Sequence, residues 1–379
     1  LGSKTIFSGL VSGYETRNGR SGIINTESNY SISPYTLVMM TINEDNNWSH
    51  IMGNINLQHT FHNGQVISSN VDYLTYKNSN PSQYTLMNYN ESNEFINSKD
   101  FRIRKDTPID LWVTDMNHSM KIGKSVSVES GIRDTFSTLT NTVTFEEKFG
   151  LDWQIDPKFS NDGLLHEDIL AAFSSAKINF DKKTTLNAWL RYENTKTNLT
   201  TASGEKIVDR HYGNFFPTTF LSRKINPNNL VQLSYGRRIT RPTFNEMAPF
   251  AFFSDPFTFF AGNENILPTY TNTIKTDYSH KSWIFSVQHS MDKDVIAQFQ
   301  PTLNEETNTV FLKTENIDQR QTVSMIVAIP LKVTSWWETQ NNFIANYQRV
   351  NSELNGEAYD VDQKGLQVVI TNTFTLPKN

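Results

Sequence analysis

The 379-residue chain contains no cysteine. Disulfides and thiolate chemistry are therefore excluded, while the compartment stays open, because an oxidising space does not oblige a protein to use cysteine. It also lacks an excess of one charge. With 34 basic against 39 acidic residues and a formal charge of -5, its composition gives no general reason to expect nucleic acid or anionic lipid as a partner. Long apolar runs are missing too. Val323 to Leu331 holds Ser324 and Pro330 and runs into Lys332, and nothing approaches the roughly 20 apolar residues a membrane helix needs. A membrane barrel escapes that test, since its strands need only about 9 to 11 residues with one apolar face. Leu1 to Gly13 has neither the basic start nor the apolar core of a secretory signal. The eight histidines form no His-Glu-x-x-His motif, and no EF-hand spacing is present, so no metal or cofactor is expected. No Ser, His and acid are aligned by the sequence, which leaves catalysis little support.

What is present is alternation. From Leu230 to Ile239, Val231, Leu233, Tyr235, Arg237 and Ile239 share one face, opposite Gln232, Ser234, Gly236 and Arg238, and that period of two predicts a β-strand. Arg241-Pro242 stops it. Thr243 to Leu267 then carries seven of the 25 phenylalanines among turn formers, and Pro249, Pro256 and Pro268 argue against a helix or a central strand there. Elsewhere Ile51, Ile55, Leu57 and Phe61 oppose Asn54, Asn56, Gln58 and His62, and Asn63-Gly64 supplies a hairpin turn. Lys4 to Tyr14, Gly22 to Tyr30 and Tyr35 to Ile42 read as separate strands. The whole chain predicts about 16 strands in one domain, a count set by usual strand lengths. Short turns near Asn63, Asp181, Asn226, Ser279 and Lys332 alternate with expected long loops at Lys77 to Asp100, Arg133 to Leu164, Asn194 to Arg210, Arg241 to Leu267 and Val350 to Lys364. That asymmetry matches the short and long loops of outer-membrane barrels. Closure would remove sheet edges and satisfy the backbone in lipid. A soluble sandwich, propeller or solenoid is the alternative, and no repeat period supports the latter two.

The run from Leu233 to Phe244, Leu-Ser-Tyr-Gly-Arg-Arg-Ile-Thr-Arg-Pro-Thr-Phe, resembles the outer membrane β-barrel family of Bacteroidetes related to TonB-dependent receptors. The aromatic Asp255-Pro256 segment, the Gly262-Asn263 element and Leu267-Pro268 extend the likeness, as do His166 to Phe173 and Leu190 to Glu193. The family usually carries Asn where this chain has Ala248, which weakens any role carried over to that position. The resemblance implies an all-β, antiparallel transmembrane β-barrel in the cell outer membrane. It implies an incomplete part of a 22-stranded barrel, lacking strands at both ends and lacking a plug. The intact parent would bind and import a nutrient, with outer-membrane lipid, an N-terminal plug, a TonB-type energising complex and a small molecule, peptide or glycan as partners. A non-transporting scaffold or secretion-complex component, and an outer-membrane hydrolase, are the alternatives.

For contact with a ligand or plug the candidates are Arg238 and Arg241, whose guanidinium groups suit carboxylates, and Phe250, Phe253, Phe257 and Phe260 in the aromatic excursion. The plainer reading makes the arginines wall salt bridges, with Glu193 as a partner, and the phenylalanines internal packing. Structural roles are expected for Arg237, Tyr192, Glu193, Tyr235, Pro242, Asp255, Pro256, Gly262 and Pro268. Arg237 has lipid-side parity, so it is expected to snorkel near the outer rim.

Overall fold

The computed structural model describes residues 4–30, 33–255, 257–304, 309–354 and 357–375. Its strands in chain order are β1 (Thr5–Tyr30), β2 (Ser33–Thr60), β3 (Val66–Tyr89), β4 (Phe95–Ile122), β5 (Val126–Phe149), β6 (Asp152–Ile155), β7 (Asn161–Asn179), β8 (Thr184–Thr201), β9 (Lys206–Asn226) and β10 (Asn229–Thr240), followed by β11 (Ala251–Asp255), β12 (Thr258–Ala261), β13 (Thr269–His280), β14 (Trp283–Asn304), β15 (Thr309–Lys332), β16 (Trp337–Leu354) and β17 (Glu357–Phe374). Among the described residues a single helix, α1 (Phe244–Met247), lies between β10 and β11. All strands except β6, β11 and β12 form one antiparallel meander, the wall. Among the described residues β1 pairs only with β2 and β17 only with β16, so the 17-stranded sheet is not closed into a complete barrel.

Register carries one set of side chains along the outside. Ile55 sits opposite Val71, Trp112 opposite Tyr73 and Phe136, Tyr192 opposite Phe215, Leu221 opposite Leu233, and Val287 opposite Met325. Ile55 is 55% exposed and Leu366 77% exposed. An apolar band of this extent would be an anomaly in water; against hydrocarbon it is the contact surface. The opposite parity turns inward and hydrogen-bonds across strands: Asn54 donates to Asp72 at 2.5 Å, Asn70 to Asp115 at 3.1 Å and Asn117 to the same carboxylate at 2.7 Å. Alternation seen in the sequence is therefore the lipid–lumen boundary.

Four of the five expected long loops are corrected. Lys77 to Asp100 is the continuation of β3 and β4 with a tight turn at Asn90 to Glu94, where the Asn90 side chain accepts the Ser92 and Glu94 N–H groups at 2.9 and 2.8 Å. Arg133 to Leu164, Asn194 to Arg210 and Val350 to Lys364 are likewise mostly strand. β1 and β2 each merge two of the segments read as separate. The physical reason is length: strands of 24 to 28 residues far exceed the 9 to 11 or so that cross a bilayer, and beyond hydrocarbon both faces meet polar surroundings, so the period of two fades. Of the five, Arg241 to Pro268 alone leaves the wall over its whole length, while Arg133 to Leu164 does so only around β6.

At the opposite end the turns are tight. Asp181 accepts the N–H groups of Lys183 and Thr184 at 2.6 and 2.7 Å, and the Lys183 bond first of all holds its carboxyl below the usual range. A depressed carboxyl pKa adds stability above the unfolded value of about 3.9 and loses it as pH falls through the folded one. Asp181→Ala should thus lower the unfolding temperature of the full-length protein at pH 7, with the difference from wild type shrinking in acid. Leu233→Arg, on the lipid face, should cost about 2–4 kcal/mol if it lies near the midplane, and Gln232→Arg on the luminal face much less. Denaturant titration of folding into bilayers measures both.

Candidate functional site

Near the end of β10 its neighbour β9 parts from it. The β9–β10 ladder stops at Gly236 opposite Thr218, while β9 goes on pairing with β8 as far as Lys206. The gap admits the excursion to the lumen. Contrary to the proline argument, the excursion begins with a helix, though of one turn. Pro242 sits just before it, and the Glu246 carboxylate accepts the Thr243 N–H and hydroxyl at 2.7 and 3.0 Å, closing the turn within four residues. The β11–β12 hairpin then adds parallel to the upper edge of β15, Thr258 opposite Val310, in a stretch of β15 that β16 leaves unpaired.

The aromatic residues pack in two directions. Phe244, Met247, Ala248 and Ile266 join Leu199 and Val208 of β8 and β9, with Phe250 and Phe252 against them. Phe253 and Phe257 reach the cluster of Val38, Met40, Leu86, Phe101 and Phe145 on β2 to β5, where the Phe253 ring lies 4.7 Å from Phe101 and 5.4 Å from Tyr84. The excursion therefore crosses the lumen from wall to wall. Phe260 faces Phe299 edge-on at 5.4 Å and, with Phe252, Tyr84, Lys105 and Glu246, lines a cavity of about 410 Å³. Lys105 lies 5.6 Å from the Phe252 ring, and burial lowers its pKa.

Polar clamps hold the excursion at both ends. At its start Arg241 donates to Glu193 at 2.5 Å and to Thr195 at 2.8 Å. Near its close Arg210 of β9 donates to the carbonyls of Glu264 and Ile266, and the Asn316 amide brackets Leu267, accepting its N–H at 2.7 Å and donating to its carbonyl at 3.0 Å. From β14, Gln298 donates to Glu246 at 2.6 Å. Arg210, Asn316 and Gln298 went unnoticed in the sequence. All three lie on strand extensions without alternation, and only the position of Arg210 in an otherwise Thr-rich polar stretch set any of them apart.

Among the other expected structural residues, Asp255 accepts the Phe257 N–H at 2.9 Å, and Pro268 is buried. Pro256 lies outside the described residues. Gly262 is buried where a Cβ would meet the Asn245 and Ala248 carbonyl oxygens at 2.6 and 2.5 Å, so only glycine fits. The Tyr192 ring lies tilted against Phe215 at 4.9 Å, and the Tyr235 hydroxyl donates to Asn272 at 3.0 Å.

Below the excursion a second cavity of about 670 Å³ is lined by Arg133, Arg191, Arg237, Arg238 and Arg241, with Asp115, Glu129 and Glu193 as the acids. Arg237 does not snorkel to the outer rim. With no β9 partner beside it, its guanidinium lies over the Tyr270 ring at 5.2 Å. The Nε atoms of Arg191, Arg237 and Arg241 are buried without a hydrogen-bond acceptor. Arg191 Nε comes within 2.6 Å of Glu193 Oε1, but off the hydrogen-bond direction. Arg238 is exposed to the cavity. Among the described residues no group of acids and histidines is arranged to hold a metal.

A curved antiparallel wall, apolar outside and polar within, defines an outer-membrane β-barrel protein. The model of the outer membrane protein beta-barrel family matches residues 59–379, and the chain belongs to that family; it is an outer-membrane protein. No curated protein matches it. Among solved structures it is similar to that of the FpvAI–pyocin S2 complex, at 12% identity over 99% of this chain and 60% of that one, with a TM-score of 0.51. It is also similar to the siderophore receptor PirA from Pseudomonas aeruginosa (10% identity, 97% of this chain and 75% of that one, TM-score 0.45) and to the copper transporter OprC (8% identity, 100% and 73%, TM-score 0.46). At such identities the likeness is one of fold, and this chain spans less than two thirds of the FpvAI chain.

Gly262→Ala and Arg210→Ala in the full-length protein should each speed amide exchange and proteolytic cutting across residues 241–268 by tenfold or more, a loss of about 1.4 kcal/mol or more, while the wall strands stay protected. Hydrogen-exchange mass spectrometry reads both.

Proposed function

We propose that this chain forms much of the wall of a TonB-dependent-receptor-like importer of the Bacteroidetes kind, whose whole protein takes up a nutrient through the outer membrane. In this reading the lumen also holds a plug domain, a TonB-type complex supplies the energy, and further strands meet the free edges of β1 and β17, since a bare sheet edge in hydrocarbon leaves backbone groups unsatisfied. The observation that carries it is the arginine-lined cavity beneath the excursion, with buried guanidinium N–H groups that have no acceptor. Such groups are costly to leave unmet and suit carboxylates, which a plug or an anionic cargo supplies. The excursion narrows the mouth above them, and its Phe252 and Phe260 offer apolar contact to a small molecule, peptide or glycan on its way in.

Uptake tests this. Cells carrying Arg133→Ala together with Arg238→Ala in the full gene should take up the cargo at least tenfold more slowly than wild type, with barrel abundance at the surface unchanged. A gene deletion that leaves uptake of a broad nutrient panel intact while a stable protein partner is lost would replace this reading with that of a scaffold.

A further inference from the structure

The balanced charge of the whole chain conceals a local imbalance. Four short turns that follow one another along the wall, β4–β5, β7–β8, β9–β10 and β13–β14, together with the strand ends beside them, carry Lys124, Lys182, Lys183, Arg223, Lys224 and Lys281, all exposed. Within residues 121–126, 177–186, 221–231 and 278–284 the one acid is Asp181, whose carboxylate accepts the Lys183 and Thr184 N–H groups and feels the charge of Arg223 without forming an ion pair with it. None of the six basic groups forms an ion pair among the described residues. At the opposite end charges are mixed and matched, as in Arg102–Glu146 at 2.5 Å, Lys99–Glu147 at 3.1 Å and Lys206–Asp209 at 2.6 Å.

Height identifies what the basic rim meets. Ile122, Phe180, Ile225 and Trp283, all exposed, lie within three residues of these basic groups, where the lipid-facing band ends. Amines at the lower border of an apolar band stand level with lipid headgroups, and long basic side chains reach such groups while their stems stay against hydrocarbon. We propose that this collar binds the anionic headgroups of glycerophospholipids in the leaflet on the short-turn side, the headgroup phosphates supplying the counter-charge that the protein itself withholds. The collar follows the wall over several strands rather than enclosing a pocket, which fits a ring of lipids better than one soluble anion.

The test uses the full-length protein in detergent, offered equimolar phosphatidylglycerol and phosphatidylcholine, with retained lipid read by native mass spectrometry. Wild type should retain the anionic lipid preferentially at 50 mM salt and lose most of that preference at 500 mM. Lys182→Gln with Lys183→Gln should lower the preference by about fivefold per residue, ~1 kcal/mol each, with the heat-dependent gel shift of the folded barrel retained. Lys99→Gln with Lys206→Gln, at the other end, should leave it unchanged. Equal retention of both lipids by wild type, or equal loss in the two double variants, would overturn the proposal. So would displacement of the lipid by millimolar inorganic phosphate, or stronger retention of lipopolysaccharide than of phosphatidylglycerol. If the Lys182 and Lys183 variant fails to fold, the salt series on wild type decides alone.

Discussion

Everything in this protein depends on the backbone ladder. Hydrocarbon offers no hydrogen-bond partner, so each N–H and C=O within the bilayer must find one in a neighbouring strand. The antiparallel meander from β1 to β17 does this strand by strand, with long uninterrupted registers such as Thr5 to Ser28 against His59 to Thr36. Once that ladder exists, side chains have only two directions, and the apolar parity of Ile55, Leu233 and Met325 follows from the solvent outside. The same requirement confines irregular backbone to the ends of the strands and to the lumen, where Arg241 to Pro268 is found.

The excursion shows how irregular backbone is held where only the short β11–β12 hairpin supplies a ladder. Wall side chains meet several of its carbonyls and amides, Arg210 taking the carbonyls of Glu264 and Ile266 and Asn316 both groups of Leu267, while within the excursion the Asn263 N–H goes to the Glu246 backbone carbonyl at 2.8 Å. Its phenylalanines divide between two walls, so burial on each side opposes release from the other. Each buried aromatic ring contributes about 1.5–3 kcal/mol relative to exposure, which makes a wall-to-wall crossing a rigid feature of the mouth rather than a loose loop. The arginines beneath are held in a different way. Glu193 serves both Arg241 and Arg191, leaving the cavity with more guanidinium than carboxylate.

Charge has two separate jobs along the axis. Above the bilayer, pairs such as Arg102–Glu146 and Lys99–Glu147 cross-link strands that stand in water, each weakly. On the short-turn rim the six basic residues from Lys124 to Lys281 form no ion pair among the described residues, whereas Lys332 at the following turn meets Glu338 at 3.8 Å, and the near-neutral composition of the whole chain hides that local excess.

How much of this was legible in the sequence can be argued residue by residue. Alternation across Ile51 to Phe61 and Val231 to Tyr235 determined strand and face, because a period of two is a local property that the solvent on each side selects directly, while a soluble sandwich would have shown the same period. The Arg-Pro stop at Arg241 and the seven phenylalanines after it likewise marked the excursion. Only the tertiary structure decided that β3, β4, β5 and β8 continue for many residues past the bilayer, since strands with water on both faces carry no pattern. It alone decided that the phenylalanines point into the lumen and that Arg237 joins the cavity, because these depend on a β9–β10 ladder that ends at Gly236 and on partners as distant in sequence as Arg210 and Asn316.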